Sequence, residues 1–363
     1  MTADSDNGDN PSSLRVPAEW EPQQCLWLAW PHNLETWPGP ANNPGSANNP
    51  GLANNTARFN KIPPFYARWI QLICESTPVR ILASNESAKT CEQLVGGFSN
   101  VEIIDIPTND CWIRDYGPTF VVHKNDPTIR GVNWNYNAWG GKYAPWDLDD
   151  AAAQKICEAE NIPCVDGALC LEGGSLEFDG HGRVLTTPDC LVTESRNPGL
   201  TADDVSRELH QRLGVTEIVW IDGGGLEGDD TDGHIDQLAR FTDRENVVVS
   251  VTNDPSDFNR LALEKNYQQL KLWAGTTSPS VQVHRMPIPP ARMIDGRRVP
   301  ESYCNFLRLG PERLLVPTYG VLADDYAIGL LTELTGAEVT GLDCRDLVWG
   351  LGALHCASRD QPA

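Results

Sequence analysis

Basic residues are scarce in this chain of 363: 28 Lys and Arg stand against 50 Asp and Glu, a formal charge of −22. A nucleic-acid backbone or an anionic lipid surface would be repelled, so neither is an expected partner, whereas a small cation would be concentrated near the protein. Long apolar runs are also lacking, and none approaches the roughly 18 residues that a membrane span requires. The opening MTADSDNGDNPSS is polar and acidic, without the apolar stretch of a secretory leader, and the expectation is a cytoplasmic protein. Cys-x-x-Cys pairs are missing altogether. The eleven cysteines are scattered and odd in number, which reads as reduced thiols, most of them small buried apolar side chains.

Apolar residues make up 40% of the chain and twelve are Trp, enough for a sizeable folded core. Residues 1–14 read as a disordered tail and 15–363 as one domain. Within it, ANNPGSANNPGLANNT (41–56) repeats turn chemistry with nothing to bury, so it is expected to be a low-complexity surface loop.

The remainder resolves into five strand–helix–strand units. The first is VRILAS (79–84), SAKTCEQLVGGF and VEIIDIP. The second runs from TFVV (119–122) through DDAAAQKICEAEN to IPCVDGALCL. The third joins RVLTT (183–187) to EIVWI through ADDVSRELHQRLG, where Val205, Leu209 and Leu213 share one helical face. The fourth is NVVVSV (246–251), RLALEKNYQQLKLWA and VQVHRMP. The fifth is RLLVPTY (313–319), DDYAIGLLTELTG and EVTGLD. Polar, glycine-rich loops follow each unit's last strand. In a closed ring these loops converge on one centre, whereas in an open sheet they spread along an edge; the ring is the favoured reading.

Those loops carry Asp115, Glu172, His234, Asp236 and Cys356. A cysteine works as a nucleophile only as thiolate. Several carboxylates in one pocket need a cation between them. A guanidinium, planar and rich in N–H donors, suits carboxylates bidentately and offers an electrophilic carbon. Taken singly, each fragment has an ordinary structural reading; recurrence at matching points of five units supports the joint one. Two other motifs are set aside. Gly223, Gly225 and Gly228 match G-x-G-x-x-G, but Glu227, Asp229 and Asp230 would repel a pyrophosphate. His234, Asp236, His355 and Cys356 have ligand chemistry without the spacing of common zinc sites, so no metal is expected.

Several stretches together resemble one family: RVPAEWEPQQCLWLAWP (15–31), CWIRDYGPTFVV, NYNAWGGKYAPWDLDD, LEGGSLEFDG, TDGHIDQLARF, SYCNF, VPTYG and the closing HC. The chain is similar to the agmatine deiminases and Porphyromonas-type peptidylarginine deiminases of the guanidine-modifying superfamily. The resemblance implies a five-bladed α/β propeller and hydrolysis of a guanidino C–N bond with no cofactor. It implies Cys356 as nucleophile, His234 as acid and base, Asp115 and Asp236 as the grip on the guanidinium, and Glu172 as the residue completing the site. Agmatine, giving N-carbamoylputrescine and ammonia through a thiouronium intermediate, is the first-choice substrate, with a place in putrescine biosynthesis. Peptidyl-arginine is the alternative, and a non-catalytic binder of guanidino ligands the alternative of another class; a homo-oligomer is compatible with either. Agmatine's ammonium would suit Trp112, Tyr116 and Asp232. The closing GLGALHCASRDQP departs from the family's usual Gly-Gly-Gly-Asn-Ile-His-Cys approach, so Leu351, Ala353, Arg359 and Asp360 are expected to alter the pocket wall.

Overall fold

The computed structural model describes residues 11–38, 56–124, 126–278 and 280–363. Its core unit is an antiparallel strand pair followed by a helical crossover to a parallel strand. Glu177–Phe178, Arg183–Thr186 and Glu217–Trp220 form one such sheet. Ala239–Asp243, Asn246–Val251 and Gln282–Pro287 form the next. Leu307–Leu309, Arg313–Thr318 and Glu338–Asp343 form another. In a fourth sheet Leu14–Arg15, Thr119–His123, Asp126–Asn135 and Cys164–Cys170 lie side by side. The fifth closes the ring: the C-terminal strand Ser358–Pro362 pairs antiparallel with Gln23–Ala29, which continues into Val79–Leu82 and Val101–Ile104. The fold is a five-bladed α/β propeller, as the five units suggest.

The helices form where the apolar spacing is 3.6. Ile62–Cys74 buries Ile62, Phe65, Tyr66, Trp69, Ile70 and Ile73 along one stripe. Ala202–Leu213 opens on Thr201, whose hydroxyl accepts from the Asp204 N–H while the Asp204 carboxylate accepts from the Thr201 N–H. It stops at Gly214, whose φ of 67° only glycine adopts without cost. Its Val205, Leu209 and Leu213 are buried, as their spacing requires. Each such side chain stabilises the packing by about 1.5–3 kcal/mol. No helix among the described residues is long and apolar enough to cross a membrane.

Two boundaries differ from the sequence reading. The crossover of the second blade leaves from the strand Asp126–Asn135, not from TFVV, which is its antiparallel partner. That strand reads Gly-Val-Asn-Trp-Asn at 131–135 and alternates buried and wetter residues, so it has no continuous apolar run to reveal it. Of the expected tail 1–14, residues 1–10 lie outside the described residues. Pro11–Ser13 form a 3-10 turn, and Leu14 pairs with His123 because its side chain, 6% exposed, has a core to enter. Of the expected loop 41–56, all but Thr56 lies outside the described residues.

Candidate active site

The loop after each blade's last strand delivers one or two polar side chains to the centre of the ring. Asp115 comes from the turn Ile113–Tyr116, Glu172 precedes the turn Gly173–Ser175, and His234 and Asp236 flank the start of Ile235–Leu238. Asn305 ends the turn Tyr303–Asn305, and Cys356 follows the strand Glu338–Asp343. The five side chains singled out in the sequence are therefore brought together.

Cys356, 5% exposed, is held by Asn305. The Asn305 amide donates to Sγ at 3.0 Å, and its Oδ1 accepts from the backbone N–H groups of His355 and Cys356 at 3.1 and 3.3 Å. The thiol in turn lies 3.5 Å from Asp236 Oδ2, to which it donates. Burial, then the charges of Asp236 and Asp115, push the thiol well above its ordinary range, so the resting group is neutral.

His234 is fully buried, with Nδ1 3.6 Å from Asp115 and Nε2 3.7 Å from Glu172. Burial disfavours its charge, but Asp115, Glu172 and Asp236 outweigh burial and raise it to about 9. Neither ring nitrogen has a hydrogen-bond partner among the described residues. Asp115 accepts from the Gly174 N–H and from the Trp139 indole, each at 2.9 Å. Burial and the negative charges of Asp236 and Glu172 raise it to about 6. Asp236 is held low against its burial by His355, His234 and Arg240, and its Oδ1 is buried with no partner. Glu172, also opposed by burial, is held low by His234 and by Arg196, whose Nε meets both carboxylate oxygens at 2.7 and 2.9 Å.

A cavity of about 720 Å3 descends to Asp115 and Cys356. Trp112, Trp139, Tyr143 and Trp349 give it aromatic walls; Glu35, Asp110, Asp149 and Asp230 give it acidic ones. His234, Asp236 and Glu172 form the fully buried layer behind.

Trp112 lines this cavity, but two other expected contact residues have different tasks. The Tyr116 hydroxyl donates to the Asp110 carbonyl at 2.8 Å, and its ring packs edge-on against Tyr136, so it supports the wall. Asp232 is taken by two cations, Lys142 and Arg196, both at 2.8 Å, and faces another groove. Of the altered closing residues, Leu351 alone is on the wall, with a φ of 69° that favours glycine. Arg359 turns away and donates to the Pro118 carbonyl, while Asp360 pairs with Arg114. Sequence reasoning missed Asn305 and Trp139, which sit in the quoted SYCNF and NYNAWGGK segments, and Arg196, which carried no local signal.

Among the described residues, the atoms of Glu19, Glu177 and His355 lie close enough together for one metal ion. Arg240 already supplies the positive charge there, 2.6 Å from each carboxylate.

Comparison with known proteins bears on this arrangement. A Legionella pneumophila protein provisionally named an agmatine deiminase is 34% identical over 349 residues, covering 96% of this chain and 94% of its own. The agmatine deiminase of Pseudomonas fluorescens is 31% identical, with 96% of each chain covered. Among solved structures, the agmatine deiminase of Enterococcus faecalis superposes with a TM-score of 0.85 at 28% identity and 98% coverage of both chains. A Cys→Ser variant of C. jejuni agmatine deiminase with substrate bound gives 0.81 at 28% identity and 96% coverage of both chains. Residues 15–362 match one family throughout, and the chain belongs to the Porphyromonas-type peptidyl-arginine deiminases.

Proposed function

We propose that this protein hydrolyses the guanidinium C–N bond of agmatine, giving N-carbamoylputrescine and ammonia, with Cys356 as nucleophile. The observation that carries the reading is the juxtaposition of a thiol, an imidazole and three carboxylates at the end of a cavity walled by acids and aromatics. Relatives named for that activity, at 31% identity across the chain, support it.

Asp115 and Asp236 grip the cation, the latter through its unpaired Oδ1. The bound positive charge offsets the two carboxylates that hold the thiol protonated. The thiol proton then leaves by Asp236 Oδ2 to water in the cavity. The thiolate attacks the guanidinium carbon, forming the S–C bond of a neutral tetrahedral adduct. His234, protonated at rest, gives its proton to the departing nitrogen; the C–N bond breaks, ammonia leaves and a thiouronium cation remains. Neutral His234 next takes a proton from water as its oxygen bonds to that carbon. Collapse of the adduct breaks the C–S bond, and the hydroxyl proton passes to the leaving sulfur, which restores the neutral thiol and frees the ureido product. Glu172, anchored by Arg196, holds the imidazole in place throughout.

The test is ammonia and ureido product from agmatine with wild type and with Cys356→Ser. The serine variant should fold, bind and fail to turn over, because an alcohol at that position lacks thiolate reactivity. An active serine variant would sink the nucleophile assignment, and an inert wild type with every guanidino compound offered would leave a binding protein instead.

A further inference from the structure

The residue before the nucleophile points the other way. His355, 1% exposed, places Nδ1 2.8 Å from Asp236 Oδ2 and Nε2 2.6 Å from Glu19 Oε1. Ionised carboxylates only accept hydrogen bonds, so a ring caught between two of them must donate from both nitrogens. The surroundings keep both partners ionised. Glu19, despite its burial, is held low by Arg240, His355 and Arg114; the guanidinium nitrogens lie 2.6 Å (Arg240) and 3.1 Å (Arg114) from its oxygens. Arg114 also donates to the His355 carbonyl and pairs with Asp360, while Arg240 pairs with Glu177. Burial and the charge of Glu19, against Arg240, raise Glu177 to about 8. On the cavity side the titratable groups are Cys356, His234 and Asp115.

We infer that His355 is a positioning residue: a buried imidazolium, anchored by Glu19, that ties down Asp236 Oδ2 and keeps Asp236 an anion whose free Oδ1 meets the substrate. The catalytic consequence rests on the proposed deimination; the charge state does not. The arrangement also explains why Glu19, far from the reacting atoms in sequence, lies beneath the site. A positive charge there offsets the cost of burying Asp236 beside Asp115 before any substrate arrives.

The charge state is read on the ligand-free full chain labelled with 15N-histidine, using His355→Asn to assign the signal. Both ring nitrogens should carry protons at neutral pH. In kinetics, His355→Asn keeps a neutral donor to Asp236 but removes the charge. It should lower kcat/KM about ten- to a hundredfold, the range typical of lost orienting partners. Asp236 would then hold its proton to higher pH, so the acid side of the kcat/KM profile should steepen and move up by about one unit or more. Glu19→Gln, which leaves the ring in place, should shift the profile in the same direction by less. A His355 signal with one bare nitrogen overturns the inference, as does an unmoved acid limb in both variants. If no guanidino compound is hydrolysed, the nitrogen signals still decide the charge state, so failure of the reaction and failure of this assignment are told apart.

Discussion

Asp115 and His234 face each other at 3.6 Å, and under the proposed mechanism they have opposite requirements, so their shifts should set the working pH. Burial raises Asp115 to about 6, and gripping a cation needs its anion, so kcat/KM should be present above that value and fall as pH drops through it. Carboxylate charges, against burial, raise His234 to about 9, and protonating the leaving nitrogen needs the imidazolium, so activity should be lost as pH rises through that value. The profile is therefore a bell between about 6 and about 9. Trp139→Phe removes the indole that donates to Asp115, which should move the acid limb upward and leave the basic limb in place. A profile without either limb, or an acid limb indifferent to Trp139, would refute the assignments. The five side chains that meet at the centre of the ring were legible in the sequence because each is a chemically active type in a polar loop after a strand. Asn305 sat in such a loop too but, as a neutral amide, gave no reason to be chosen. Tyr116 and Asp232 have partners of their own that the sequence does not show. The Lys142 and Arg196 that occupy Asp232 lie 90 and 36 residues away, and nothing local announces them.

Turns, more than strands or helices, carry the precision of the site. The Glu172–Ser175 turn packs its backbone among the reacting groups. A Cβ on Gly174 would stand 2.6 Å from His234 Nδ1, 2.8 Å from Asp115 Oδ1 and 3.1 Å from Asp236 Oδ2. None of these atoms ends a flexible chain that could swing clear, and Asp115 and Asp236 are pinned by other bonds. Gly174→Ala should therefore cost at least a hundredfold in kcat, since displacements near 1 Å at reacting groups have that effect. A variant that keeps wild-type turnover would show that the three side chains have slack. At this scale the sequence reading succeeded for helices and interior strands. Ala202–Leu213, Arg260–Ala274 and Glu338–Asp343 fall where the sequence reading put them. It failed for the shortest antiparallel strands, Glu177–Phe178 and Leu307–Leu309, whose two or three residues are too few to show a period.

The whole molecule contributes a field and a cavity with few uncommitted positive charges. Its −22 formal charge draws in cations, and Glu35, Asp110, Asp149 and Asp230 concentrate that field along the cavity wall. The cations on the same wall are mostly committed. Lys142 pairs with Asp232, and Arg298 with Asp257 and Glu227. Arg359, which from sequence alone could have met a carboxylate near the nucleophile, is buried and bonded to Pro118. A substrate ending in an ammonium is welcome here, whereas one ending in a carboxylate must shed water with little positive charge to receive it. Agmatine should accordingly exceed free arginine in kcat/KM by roughly a hundredfold or more, the usual consequence of a missing polar partner at one end of a ligand. Salt separates the two sources of this preference. The long-range part is screened within about 10 Å at 0.1 M ionic strength, so raising salt should increase the KM for the dication agmatine several-fold and leave kcat almost unchanged. The short-range part, set by desolvation inside the cavity, should persist, so the ratio of agmatine to arginine narrows with salt without reaching unity. Measuring kcat/KM for agmatine, arginine and an arginine-containing peptide across a salt series decides it. Equal use of arginine or the peptide would assign the cavity a larger or carboxylate-bearing substrate, with Arg297, exposed on the cavity wall, as the cation to replace next.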